Sequence, residues 1–164
     1  MRVDLGESGY HTVFSGLKPD QQPPAHETDA QLSARLRRGY AAYLIDPRSS
    51  STPDAAASFL AKLWRNELLS PASTHVLIDL MLAQTTPSRL RAGLPAGVQL
   101  ADKCGTSYTL GNKTAAFNDI GILTWPDGHV VIVAAFLTAS SAPPKERNAI
   151  FADLARAVTR ALHP

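Results

Sequence analysis

Cysteine is almost absent from this chain: Cys104 is the only one in 164 residues. That excludes an internal disulfide and any zinc site built on cysteines. The five histidines, His11, His26, His75, His129 and His163, fall at no ligand-like spacing, so neither a metal nor another cofactor is expected. An excess of one charge is also missing, since 16 basic against 14 acidic side chains leave a formal charge of +2. The densest basic stretch, "ARLRRGY" over 34–40, reads as a solvated helix face, so no nucleic-acid partner is expected. Long apolar runs are missing too. No window reaches the roughly 18 uninterrupted apolar residues of a membrane helix, and no membrane association is expected. "MRVDLGESGY" at the N-terminus has no apolar core of the signal-peptide kind, so nothing in it directs export.

What remains, 45% hydrophobic and 18% charged residues, is the composition of a globular protein. At this length a domain buries roughly 70% of its unfolded surface. The character of the chain changes near residue 51. Residues 1–51 hold two polar, proline-punctuated loops, "PDQQPPAHETDA" and "DPRSSSTP". Between them "DAQLSARLRRGYAAYLI" reads as a helix with Asp29 as N-cap and Leu32, Leu36, Tyr40 and Tyr43 on one stripe.

From Thr52 onward the punctuation is sharper. Thr52 caps a helix that Pro53 opens, with Ala56, Phe59, Leu60, Leu63 and Trp64 at helical spacing. Ser70 and Pro71 repeat the device before a stripe of Val76, Leu77, Leu80 and Met81. Three strand-like runs follow, over 98–105, 116–125 and 129–138, and the turn signal "PDG" joins the last two into an antiparallel hairpin. "PPKERNAIFADLARAVTRAL" then reads as an amphipathic helix with Ile150, Leu154, Ala157, Val158 and Leu162 inward. The order helix, helix, three strands, helix predicts an α+β fold, an antiparallel three-stranded sheet with the last helix on one face and a helix pair preceding it.

Five ordered stretches carry a resemblance: "DPRSSSTP", "LAKLWRNELLSPASTHVLIDLMLAQ", "LRAGLPAGVQLADKCG", "NDIGILTWPDGHVVIVAAFLT" and "ERNAIFADLARAV". Together they resemble the C-terminal half of the class A β-lactamases, serine hydrolases of the penicillin-binding fold whose activity underlies antibiotic resistance. In that family a Leu-Pro-x-Gly turn feeds a strand ending in Asp-Lys-Thr-Gly or Asp-Lys-Ser-Gly. The first fifty residues then correspond to a divergent Ω-loop region with an insert over 23–44, and 52–164 to the C-terminal region of the fold.

The resemblance implies a substrate and roles. A β-lactam would be opened through a serine acyl-enzyme. Lys103 would present positive charge to the substrate carboxylate and to the serine of the family's second motif. Gly105 would let substrate lie against the strand, and the backbone N–H of Thr106 would be one oxyanion donor. Cys104 stands where the family's Thr or Ser hydroxyl contacts the substrate, and a thiol is a weaker donor. In place of the arginine often found near the third strand stand Phe117 or Lys113.

Other parts are altered. Ser-Asp-Asn does not occur. Ser-x-x-Lys occurs once, as Ser15-Gly16-Leu17-Lys18, and with Gly16 inside it and Pro19 next it reads as chance recurrence. Aligned as an Ω-loop entry, the same segment puts Lys18 where the deacylating glutamate belongs, leaving Asp20 or Glu27 as stand-in bases. Ser49 replaces an aspartate at the loop exit, so the loop's internal ion pair, which would use Arg48, looks lost.

Three readings follow. The first is the C-terminal portion of a β-lactamase-like serine hydrolase, inactive alone, that needs an N-terminal half or self-associates through an exposed sheet edge. The second is a non-catalytic β-lactamase-like binding or interaction module. The third makes Cys104, beside Lys103, an activated thiolate.

Overall fold

The computed structural model describes residues 15–17, 21–48 and 50–162. Lys18, Pro19, Asp20 and Ser49, which entered the sequence expectations, lie outside them. The chain divides into two compact units, Met1–Ser51 and Thr52–Pro164.

In the first unit α1 spans Asp29–Ile45. Its N-cap is Thr28, not Asp29: the Thr28 hydroxyl accepts from Gln31 N–H while Gln31 Oε1 accepts from Thr28 N–H at 2.9 Å, a reciprocal capping box. The expected stripe is only partly buried. Tyr40 is, but Leu32 is exposed, and Arg35 and Gly39 are the other buried residues. The reason is electrostatic: Glu27 binds both Arg35 Nε and Nη2, at 2.9 and 2.6 Å, and so allows the guanidinium inside.

The second unit has the expected order with two additions. Helix α2 runs Pro53–Trp64 and α3 Pro71–Leu82, each opened by the predicted cap, since Thr52 Oγ1 accepts from Ala55 N and Ser70 Oγ accepts from Ser73 N. A short 3-10 helix, Arg89–Gly93, follows. The strands are β1 Gln99–Thr106, β2 Thr109–Leu110, β3 Lys113–Thr124 and β4 Val130–Ser140, before α4 at Pro144–Leu162. The sheet is antiparallel, with β3 pairing β1, β2 and β4. The hairpin expected over 116–125 and 129–138 is formed by Lys113–Thr124 and Val130–Ser140, and the two-residue β2 makes a fourth strand that so short a segment could not announce by alternation.

The sheet is covered on both faces. Leu60 and Leu63 from α2 and Met81 from α3 pack with Ala101 and Ile122. Leu90 from the 3-10 helix and Phe151 and Ala155 from α4 pack with Leu100, Phe117, Leu123 and Trp125 on the other face. Gly93 permits close approach, because a Cβ there would lie 2.0 Å from Ala152 O on α4.

Three helical stripes differ from expectation. On α2, Phe59 is 51% exposed and Trp64 is also exposed; on α3, Val76 is 58% and Leu80 67% exposed. On α4 the inward face is Arg147, Phe151, Ala152, Ala155 and Thr159, with Val158 partly buried, while Ile150, Leu154, Ala157 and Leu162 face out. The inward face of α4 is chosen by close contact with the 3-10 helix, where alanine fits and leucine does not.

Candidate functional site

The candidate site is the C-terminal end of β1, the strand over which Lys103 to Thr106 were singled out. β1 is an edge strand, paired only with β3 among the described residues. Strand alternation divides its side chains. Ala101, Lys103 and Gly105 belong to the face packed by α2 and α3; Leu100, Asp102, Cys104 and Thr106 belong to the face packed by the 3-10 helix and α4.

Lys103, Gly105 and Thr106 are exposed and Cys104 is half-buried. The Lys103 ammonium donates to the carbonyl of Cys104, next to it in the chain. A Cβ added at Gly105 would meet nothing within 4 Å, so open space lies before the strand at that point. Ser107 N–H donates to Ala116 O on β3 at 2.8 Å, and alternation of peptide directions turns the preceding N–H, that of Thr106, toward the opposite, open edge.

Cys104 turns away from Lys103. Its Sγ lies 3.5 Å from Thr86 Oγ1 and across the sheet from Asp119. Neither neighbour is a cation that would activate a thiolate.

An arginine that sequence reasoning passed over dominates the same strand end. Arg89, only 7% exposed, donates from Nη1 to Gly105 O at 3.0 Å and Asn118 O at 2.5 Å, and from Nη2 to Thr106 Oγ1 at 2.6 Å. Its guanidinium carbon sits 3.8 Å from the centroid of the Phe117 ring. Arg89 also has φ +64°, a left-handed conformation that a non-glycine residue adopts at a cost. The only sequence signal was the crowding of Arg89 and Arg91 just before the Leu-Pro turn. Lys113 starts β3 opposite Leu110, four residues from Phe117 and roughly 13 Å along the strand. The cation bonded to the end of β1 is therefore Arg89 rather than Lys113.

Behind the edge lies a buried charge cluster. Arg91 Nη2 donates to Asp102 Oδ1 at 2.5 Å and to Leu100 O at 3.0 Å. Asp119 Oδ2 accepts from Leu90 N–H at 3.3 Å. Burial raises Asp102 above its ordinary range against the pull of Arg91, and Asp119 is pushed up to about 7 by burial and then by Asp102.

In the first unit, of the two candidate bases only Glu27 lies among the described residues. The Arg35 hydrogen bonds hold Glu27 below its usual range, which makes it a poor proton acceptor. Gly16 has φ +70°, and a Cβ there would lie 2.5 Å from Arg35 O, while Ser15 O accepts from Arg35 Nη1. A left-handed residue directly after Ser15 interrupts regular helix at that point. At the loop exit Arg48 forms a local ion pair, with Nη2 2.7 Å from Asp46 Oδ2. No group of three or more potential metal ligands occurs among the described residues.

Known proteins are similar to this chain in sequence and fold. Residues 24–162 match the model of the β-lactamase enzyme family. The extended-spectrum β-lactamase PER-1 of Pseudomonas aeruginosa is 41% identical over 62% of this chain and 33% of its own length. β-Lactamase VEB-1 of the same organism is 29% identical over 80% of this chain and 45% of its own. The solved structure of the TLA-1 extended-spectrum β-lactamase superposes with a TM-score of 0.67 at 38% identity, covering 70% of this chain and 42% of that one. A β-lactamase from Chitinophaga pinensis gives 0.68 at 33% identity, over 76% of this chain and 47% of that one. The chain thus spans less than half the length of these relatives. By sequence and by fold, this chain belongs to the β-lactamase enzyme family and has the α+β architecture of the corresponding part of class A β-lactamases.

Proposed function

We propose that this chain supplies the substrate-binding strand of a class A β-lactamase-like serine hydrolase and does not hydrolyse β-lactams alone. The observation that carries this reading is the open edge of β1, where Lys103, the space before Gly105 and the Thr106 N–H lie within four consecutive residues. An acyl transfer needs a nucleophile, a base and an oxyanion hole. Lys103 provides positive charge for a substrate carboxylate, and Arg89 adds a second positive charge beneath the same strand end. Thr106 N–H provides one oxyanion donor. The nucleophile and its base come from a separate segment carrying Ser-x-x-Lys and Ser-Asp-Asn. The apolar residues left exposed on α3 and α4 are the surfaces this reading assigns to that segment.

The test is hydrolysis of the chromogenic cephalosporin nitrocefin by the purified chain, alone and mixed with the N-terminal part of PER-1 that lies outside the match. Turnover is expected only in the mixture and is lost with Lys103→Ala. Turnover by the chain alone that disappears with Ser15→Ala would overturn the proposal. A mixture that binds but never turns over supports the non-catalytic module instead.

A further inference from the structure

The Asp102–Asp119 cluster has no part in the binding edge just described, yet it is the most buried charged group of the second unit. Asp102 on β1 is 2% exposed and Asp119 on β3 is 1% exposed. Asp102 stands opposite Gly121 and Asp119 opposite Cys104, so the two carboxyls lie diagonally on one face of the strand pair. Gly121 makes the room, since a Cβ there would come within 2.6 Å of Leu100 Cδ1 and 3.3 Å of Asp102 Cβ. Asp119 Oδ1 is buried and meets no protein donor, and the Asp102 carboxyl is its diagonal neighbour on the same face. Two ionised carboxylates cannot bond to one another. A proton between them turns the contact into an O–H···O bond, satisfies the orphaned oxygen and leaves one negative charge for Arg91 to match.

The surrounding charges agree with a single retained negative charge. The 3-10 helix contributes Arg91, ion-paired to Asp102, and Arg89, whose donors go to the strand end. β1 contributes Lys103, on the other face. β4 contributes none: Ala135 stands opposite Asp119, and Val130–Ser140 contains no charged residue. On α4, which packs on the 3-10 helix, the buried cation Arg147 donates to Thr114 Oγ1 and lies over Phe117.

We propose that Asp102 and Asp119 share one proton, and that this proton latches the 3-10 helix, with the Arg89 clamp it carries, onto the end of β1. The mechanical links are the Leu90 N–H bond to Asp119 and the Arg91 pair with Asp102, which bracket Leu90 next to Arg89 in the chain. Losing the proton strengthens each carboxylate's own bond to its donor but sets two buried negative charges against each other, which pushes the carboxyls, and the Leu90 and Arg91 anchors they hold, apart. Arg89 then loses its fixed place on Gly105 O and Thr106 Oγ1. Because Asp119 is pushed up to about 7, the latch is closed in mild acid and opens as the medium turns alkaline. This device is independent of whether the edge binds a β-lactam.

Carboxyl carbon-13 and amide NMR of the full chain between about pH 5 and about pH 9 tests it. One aspartate carboxyl is expected to titrate near neutrality, with the Leu90, Gly105 and Thr106 amide resonances shifting at the same midpoint. Asp119→Asn, whose amide can donate to Asp102, should abolish that transition and hold the three amides at their low-pH positions. Asp153→Asn, at an exposed pair on α4, should leave it unchanged. Every aspartate ionised by about pH 5 in the unmodified chain, or amides that ignore the carboxyl midpoint, would overturn the proposal whether or not the variant folds.

Discussion

Arg89 lies over Phe117, its guanidinium carbon 3.8 Å from the ring centroid, while the same group holds Gly105 O, Asn118 O and Thr106 Oγ1. One buried side chain thus ties the 3-10 helix to two strands. Arg89→Met keeps much of the apolar stem and removes all of these donors. A loss of about 1.5–3 kcal/mol in urea unfolding is expected from stranding charged-group hydrogen-bond partners.

Two glycines should respond in opposite ways to alanine. Gly93→Ala forces a methyl against Ala152 O and should cost at least about 1–3 kcal/mol. Gly105→Ala meets no neighbour within 4 Å and should leave stability within about 0.5 kcal/mol, as read by the urea midpoint.

The helix caps of α2 and α3 act separately. Thr52→Ala and Ser70→Ala each remove a side-chain acceptor from a helix N-terminus and should each cost about 1 kcal/mol. The double variant should show the sum, because neither cap shares a partner with the other.

Burial, not hydrophobicity, should rank the apolar substitutions. Leu60, 1% exposed in the α2–α3 core cluster, should lose about 2–5 kcal/mol on replacement by alanine. Leu80→Lys and Ile150→Lys, on exposed faces of α3 and α4, should change stability by less than about 0.5 kcal/mol. The same lysines should block reconstitution of nitrocefin hydrolysis if those faces meet the serine-bearing segment.

Stability should also depend on the buried aspartate with a definite sign. Asp119 has its folded value raised from an ordinary 3.8 to about 7, so the folded chain keeps a proton that the unfolded chain has released. Stability contributed by that proton is present in acid and is lost as pH rises. Relative to the unmodified chain, Asp119→Asn should therefore gain stability as pH rises from about 4 to about 7, and run parallel to it above. Equal pH profiles by urea unfolding would remove the effect.

Much of the second unit was legible because its signals are local. Thr52-Pro53 and Ser70-Pro71 mark helix starts through hydrogen bonds closed within three residues, and Trp125 to Gly128 form the turn that "WPDG" announces, with Gly128 N–H bonded to Trp125 O. The strand carrying Lys103–Thr106 was legible from its alternation and its place after a Leu-Pro turn. The contacts of Arg89 and Asp119 were not, because they close across separations of 16 to 29 residues. In sequence the two residues are one arginine before a turn and one aspartate inside a strand.

The sequence by itself determined the order of elements, the strand that presents Lys103, Gly105 and the Thr106 N–H, and the family resemblance, because caps, turns and alternation are properties of near neighbours. Only the tertiary structure decided which apolar stripes are core. Ile150 and Leu154 look as suitable for burial as Phe151, but the close packing of α4 on Gly93 turns the alanine-bearing face inward. It also decided that Arg89, not Lys113, stands at the strand end, and that Asp102 and Asp119 lie diagonally on one buried face. Charge proximity across a sheet depends on register, and register is fixed by the whole pairing of β1 with β3 rather than by either strand alone.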